Sequence, residues 1–236
     1  RSSAQNRDSS FPWQWPLPSR REMPGGRRVA VRTAPPRGLC PAHRGMPARV
    51  VGPGSALPEL AAEARESGAL GRVARLVSAA HDTRVTVLHA VAERRADGRG
   101  ANRNAPLFRA AERLPVRQLT GSEAVRIAEP VPVGAEDLLV RRLHGLSPLA
   151  GTGVDALLRN LGCRTLVIVG VSANVAIPNA VFDAVNLGYT AVVPADAIAG
   201  VPASYTPAMV RHTLALVATV TSTEDVIACW QAIRPS

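Results

Sequence analysis

Up to about residue 50 the chain keeps almost no regular alternation of apolar and polar positions; beyond it, apolar residues recur at helix or strand spacing to the end. "FPWQWPLPSRREMPGGRR" cannot hold a helix or strand of useful length, because each Pro removes a donor and breaks the period. Disorder is the expectation for residues 1–49. "RRVAVRTA" (27–34) is the only apolar alternation there.

From residue 50 the pattern predicts a folded domain, 50–236. "SALPELAAEARESGALGRVARLVSAAH" (55–81) reads as a helix with Ser and Pro near its start. "RVTVLHAVAE" (84–93) is β-branched and apolar, a buried strand. A polar loop (94–106) follows, then a strand at "EDLLVRRL" (136–143) and a short helix at "GTGVDALLRNLG" (151–162). "RTLVIVGV" (164–171) is a second buried strand, "NVAIPNAVFDAVNLGY" (174–189) a helix, and "TAVVPADAIAG" (190–200) a strand and loop. "PAMVRHTLALVATV" and "TEDVIACWQAI" supply two closing helices around a short extended piece. Alternating strands and helices predict a three-layer α/β/α sandwich on a mainly parallel, Rossmann-like sheet. Ligands in such sheets bind beyond the carboxyl ends of the strands.

Composition narrows the choices. No apolar run reaches the ~20 residues that span a bilayer, so no membrane is expected. The net charge of +10 suggests nucleic acid, yet its distribution does not. Residues 1–50 hold ten Arg against Asp8 and Glu22, while the remaining 18 Arg face 16 acids. The folded part is thus close to neutral, without a basic stripe interleaved with aromatics, and no nucleic-acid partner is expected. Cys40, Cys163 and Cys229 are odd in number and far apart, which suggests neither a disulfide framework nor a metal cluster and makes a reducing cytoplasm the default. Nothing calls for a cofactor. Every basic residue is Arg, with no Lys anywhere.

"LLRNLGCRTLVIVGVSANVAIPNAVFDAVNLGYTAVVPADAIAG" resembles the isochorismatase-like, or cysteine hydrolase, superfamily. The resemblance rests on Leu161-Gly162, the aliphatic strand Thr165 to Val169, Gly170-Val171, Asp183-Ala184, Gly188-Tyr189 and Asp196-Ala197 in that order. It extends upstream to "VVGPGSALPEL" and covers about residues 50–232. It implies a hydrolase that acts on a small molecule and associates into homo-oligomers.

The family's working residues, carried over one by one, are not matched. The amidohydrolase branch uses a Cys in the turn after the 164–171 strand; that position falls on Ala176. A methyl group cannot attack a carbonyl, so covalent thiol chemistry is excluded there. The branch that cleaves the vinyl ether isochorismate, by acid and water, does not need the thiol. The family's Lys falls on Leu143, or with a one-residue shift on Arg142; Arg141 and Arg142 are the cations at hand. Arg holds an anion but does not shuttle a proton, and only one of two adjacent strand residues faces the cleft. The family's Asp falls on Gly45, with no strand before it. Ser172, Asn174, Arg99, Arg103 and His144 remain as substrate-binding candidates, the two Arg within a loop that also holds Arg94 and Arg95. His89, inside a strand, is expected to be a satisfied core group. The resemblance also implies a cis or strained peptide near Val171–Ser172.

The genetic code offers a reason for the missing first strand. The codons of Gly45-Met46-Pro47-Ala48, read one base later, permit Glu-Cys-Gln-Arg, with Gly next; His43 and Arg44 permit Ile and Val. The shifted frame can therefore spell an aliphatic strand, an acid and Gln before "VVG", as in the family. This suggests that residues 1–49 are translated out of frame, at least in their later part. If so, the sheet lacks its central strand or fills the place with a makeshift segment, with 27–34 the expected one. Two functions follow: a hydrolase-like protein without a thiol nucleophile, impaired or inactive as written, or a non-catalytic binding or assembly subunit of the same fold.

Overall fold

The computed structural model describes residues 39–40, 42–44, 48–52, 54–115 and 117–232. All of these fall in one compact unit, Pro35–Ser236. The expected makeshift strand, 27–34, lies outside the described residues.

The sheet starts before residue 50. Strand β1 (Leu39–Cys40) pairs in parallel with β5 (Thr165–Val167), and β2 (Ala42–Arg44) pairs in parallel with β3 (Leu88–Ala92). A four-residue helix, α1 (Ala48–Val51), follows. Strand β3 also pairs with β4 (Leu138–Arg142). On the other side β5 pairs with β7 (Thr190–Pro194), and β7 with β9 (Thr219–Thr221), all in parallel. One short segment, 39–44, thus feeds both ladders, at the place where 27–34 was expected to stand in. A separate pair joins β6 (Gly170–Val171) to β8 (Ile198–Ala199).

Helices cover both faces. Leu166 and Ile168 pack with α5 (Val154–Asn160) and α6 (Ala176–Asn186). Val167, Val169 and Val171 turn the other way, against α3 (Ala69–Asp82) and α8 (Thr223–Ala232). Side chains alternate across a strand, so an unbroken aliphatic run fills two cores at once. α3 buries Leu70, Val73, Leu76, Val77 and Ala80, the i, i+3, i+4 stripe of an amphipathic helix. α7 (Thr206–His212) is shorter than its sequence pattern suggests, because the chain turns into a 3-10 segment at Leu214–Leu216 before β9.

The long helix expected over 55–81 is two helices, α2 (Pro58–Glu66) and α3. The break is at Ser67-Gly68. Gly68 has φ +77°, a left-handed conformation that ends α2 and opens α3. Gly68→Ala is therefore expected to lower stability by about 1–2 kcal/mol and the melting temperature by a few degrees, read by thermal denaturation. A helix the pattern did not announce, α4 (Pro106–Glu112), lies within and beyond the expected polar loop.

Three motif residues of the resemblance hold the fold. The Asp196 carboxylate accepts from Thr223 N and Oγ1 (2.9 and 3.0 Å) at the start of α8 and pairs with Arg72 at 3.3 Å. Tyr189, after Gly188 (φ +85°), donates its hydroxyl to Asp155 Oδ1 at 2.7 Å. The cysteine reading needs correction: Cys163 is disulfide-bonded and Cys229 is a free thiol. Cysteine usage therefore no longer argues for a reducing compartment.

Candidate functional site

A cavity of about 550 Å³ opens beyond the carboxyl ends of β3 and β4, against the start of α6, where a parallel sheet places its ligands. Its walls are largely apolar, with Leu107, Phe108, Leu114, Val175 and Ala176 among them. Few polar side chains reach it. Glu93, Arg94, Arg142, His144, Ser172 and Asn174 are the ones placed at strand ends or in the turns that follow.

Glu93 comes directly after β3 and is buried. Its backbone N–H donates to Arg142 O at 2.9 Å, continuing the ladder. Its carboxylate accepts from Thr120 Oγ1 and from Arg141 Nη1, both at 3.1 Å. Sequence reasoning passed over this residue. Its signal was its place, an acid at the carboxyl end of a strand whose preceding residues are apolar.

Arg141 and Arg142 part as a strand requires. Arg141 is exposed and spends its charge on Glu93. Arg142 is 5% exposed and lines the cavity. Its Nη1 donates to the carbonyls of His144 and Gly145, and Nη2 to Leu146 O at 3.4 Å. Burial away from water pushes its pKa down to about 10.

The turn before α6 carries Ser172 and Asn174. The Val171–Ser172 peptide is cis, matching the expectation from the resemblance. Ser172 O accepts the N–H groups of Ala176 and Ile177, both at 3.0 Å. The first turn of α6 therefore has these donors engaged inside the chain. Asn174 Nδ2 donates to Val201 O at 2.9 Å, while its Oδ1 is buried with no partner among the described residues. Ala176, the first residue of α6, is 4% exposed, and no cysteine is among the described residues that line the cavity.

Other candidates fall elsewhere. Arg103 pairs with Glu112 at 2.8 Å and Arg95 with Asp97 at 2.7 Å. Arg99 is exposed; like Arg95 and Arg103, it is not on the cavity wall. Arg94 does reach the wall but is paired with Glu112 at 3.1 Å. His144 lines the cavity and is exposed. His89 is fully buried and bonded through Nε2 to Asp137 Oδ2 at 2.9 Å, the core role expected of it. Gly45, the position of the family's acid, lies outside the described residues. Among the described residues no group of three or more His, Cys, Asp or Glu could hold a metal ion, and no helix is long and apolar enough to cross a membrane.

The Isochorismatase domain matches residues 57–225, most of the chain and every described cavity-lining residue except Val50 and Ala56. The chain belongs to the isochorismatase family. Solved structures of this fold resemble the family member described here at low identity. A cysteine hydrolase from Pseudomonas syringae pv. phaseolicola aligns with TM-score 0.73 and 21% identity, over 85% of this chain and 95% of that one. An isochorismatase family protein from Desulfovibrio vulgaris gives 0.69 and 24%, over 81% and 99%. N-carbamoylsarcosine amidase from Thermoplasma acidophilum gives 0.63 and 18%, over 79% and 97%. At such identities the likeness speaks for the isochorismatase-like fold. A comparison with curated protein sequences gives no match.

Proposed function

We propose that this isochorismatase-family chain is a hydrolase-like protein that works without a thiol nucleophile and, as written, hydrolyses poorly or not at all. The observation that carries the reading is the buried Ala176 at the head of α6, on a cavity wall with no cysteine among its described residues. Covalent hydrolysis needs a nucleophile with an adjacent base. Ser172, the hydroxyl nearest in the chain, has no base among its described hydrogen-bond partners. The cavity retains the size and apolar lining of a small-molecule site. The reading takes residues 1–49, at least in their later part, as out-of-frame translation that removed the family's acid, and the protein as a cytoplasmic homo-oligomer.

A second reading, a non-catalytic binding subunit, is favoured by Glu93. Its two oxygens are already taken by Thr120 and Arg141, so it serves first as a link between β3 and residues 120 and 141. The two readings differ on residual turnover. Isochorismate cleavage by the unmodified chain would support the hydrolase-like reading; saturable binding without turnover supports the subunit.

Amide hydrolysis tests the shared part. The unmodified chain is expected to leave simple amides intact, and Ala176→Cys alone to create no amidase, since a lone thiol without base and acid gains little. Iodoacetamide is expected to alkylate the free Cys229 without changing any activity found. Robust amide turnover by the unmodified chain would overturn the proposal.

A further inference from the structure

Helix α4 turns its apolar side toward empty space. Leu107, Phe108 and Ala111, with Leu114 just beyond the helix, recur at the spacing of one helical face, and all four line the cavity. None of the residues of α4 is buried. Leu107 is 51% exposed, and Leu57, on the same wall at the start of α2, is 39% exposed. What holds α4 to the sheet end is polar. Arg94, two residues beyond β3, donates to Phe108 O at 3.0 Å and pairs with Glu112 at 3.1 Å. An apolar face drawn up to a cavity, yet not buried by it, is a face without its cover.

The charges on this wall are committed within the chain. Apart from His144, the charged residues are Glu59, Glu93, Arg94 and Arg142, two of each sign. Glu93 accepts from Thr120 and Arg141, and Arg94 is taken by Glu112 and Phe108 O. Arg142 is buried against the carbonyls of residues 144–146. Glu59 is exposed and has no ion pair among the described residues, but its sign repels an anion. An anion that entered would leave water and meet no free cation, and a buried charge without a partner is strongly disfavoured.

We infer that the cavity binds a neutral, largely apolar small molecule, with the apolar side of α4 as its cover. This rests on reading the cavity as a small-molecule site, and of the two functions it fits the binding subunit. The volume of about 550 Å³ lies within the roughly 300–1,000 Å³ of small-molecule sites. Burial of Leu57, Leu107 and Phe108 against the ligand supplies the driving force, and the inward-facing charges exclude anions without contributing to affinity.

Calorimetric titration of the full chain near neutral pH compares naphthylmethanol with the naphthoate substituted at the same ring carbon. The two are similar in shape, one neutral and one anionic. The neutral probe is expected to bind about 10-fold or more tightly. Leu107→Gln is expected to weaken it about 5-fold, the effect of losing part of one leucine's burial. Leu107 is half exposed, so the fold tolerates this change. Leu216→Gln, at a residue 74% exposed and off the cavity wall, is expected to leave binding unchanged. Equal binding of the two probes, or a preference for naphthoate, overturns the inference. So does binding of naphthylmethanol that Leu107→Gln leaves untouched. Absence of binding by both overturns it too, the result expected if a second copy of the chain covers α4. Isochorismate, titrated alongside, separates the two levels: if it binds where naphthylmethanol does not, only this inference falls, and if neither binds, the small-molecule reading falls with it.

Discussion

Replacing residues 43–49 by the sequence that the neighbouring frame permits is expected to raise the melting temperature by roughly 10 °C. The seven changes are His43→Ile, Arg44→Val, Gly45→Glu, Met46→Cys, Pro47→Gln, Ala48→Arg and Arg49→Gly. The argument rests on where β2 lies. Ala42–Arg44 runs parallel to β3, with His43 opposite His89 and Arg44 opposite Ala90, while β1 just before it pairs with β5. Parallel sheets are generally covered on both faces, and their strands favour β-branched apolar residues. Burying one Val or Ile side chain is worth about 1.5–3 kcal/mol, and two amount to roughly 3–6. For a domain of this size each kcal/mol moves the midpoint by about 2–4 °C. The stabilised chain is also expected to elute with less aggregate in size exclusion. An unchanged or lower midpoint would make the residues as written the better fit and sink the frame reading; resequencing the gene across these codons is the direct check.

Asp137→Ala is expected to cost about 3 kcal/mol or more, because it leaves His81, His89 and the Gly134 N–H without their acceptor at about 1–3 kcal/mol for each buried donor. Asp137 precedes β4 and is almost wholly buried. Its Oδ1 takes His81 Nε2 at 2.8 Å, and its Oδ2 takes His89 Nε2 at 2.9 Å and the Gly134 N–H at 2.8 Å. One carboxylate thus ties α3, β3 and the segment entering β4. Desolvation acts to raise its pKa, but the bonds from Gly134, His89 and His81 outweigh it and hold the carboxyl below its ordinary value. Desolvation lowers the His89 pKa, against the smaller raising effect of Asp137. The two signs agree. Between the folded His89 pKa and about 6.5 the unfolded chain binds the extra proton, so stability falls as pH drops through that window. The Asp137 contribution is present above about pH 4 and disappears as pH falls through its lower folded value. Melting curves of the unmodified chain from pH 7.5 to 4 are expected to decline steadily below about 6.5, and His89→Gln to flatten the upper part of that decline. A pH-independent midpoint over this range would contradict the assignment.

How far the sequence announced all this varies by element. The β5–β6 run and α6 were plain because seven aliphatic or small residues fill two cores and Pro178 suits a first turn. The split of α2 from α3 was hidden, because apolar spacing continues across Ser67-Gly68 and only the sign of φ at Gly68 breaks it. α4 was masked by its setting in an Arg- and Gly-rich loop, although Pro106 followed by Leu107 and Phe108 fits a helix start. Of the residues that strand-end logic singled out, Ser172, Asn174, Ala176, His144 and Arg142 line the cavity and Arg141 does not. That logic could not say which Arg turns inward, since that depends on register with β3. Arg99 and Arg103 lie off the cavity wall, Arg103 paired with Glu112 of α4, and Glu93 was passed over because its contacts depend on the fold bringing Thr120 and Arg141 to it.

The pairing of Leu39 with Thr165 has a temporal side. During synthesis β1 leaves the ribosome long before its neighbour β5 exists, and even β3 arrives only after α2 and α3. The two ladders cannot merge until the chain has been made well past residue 167. Contacts so distant in sequence delay folding, and for that interval β1 is an unprotected edge open to chaperones, proteases or another nascent copy.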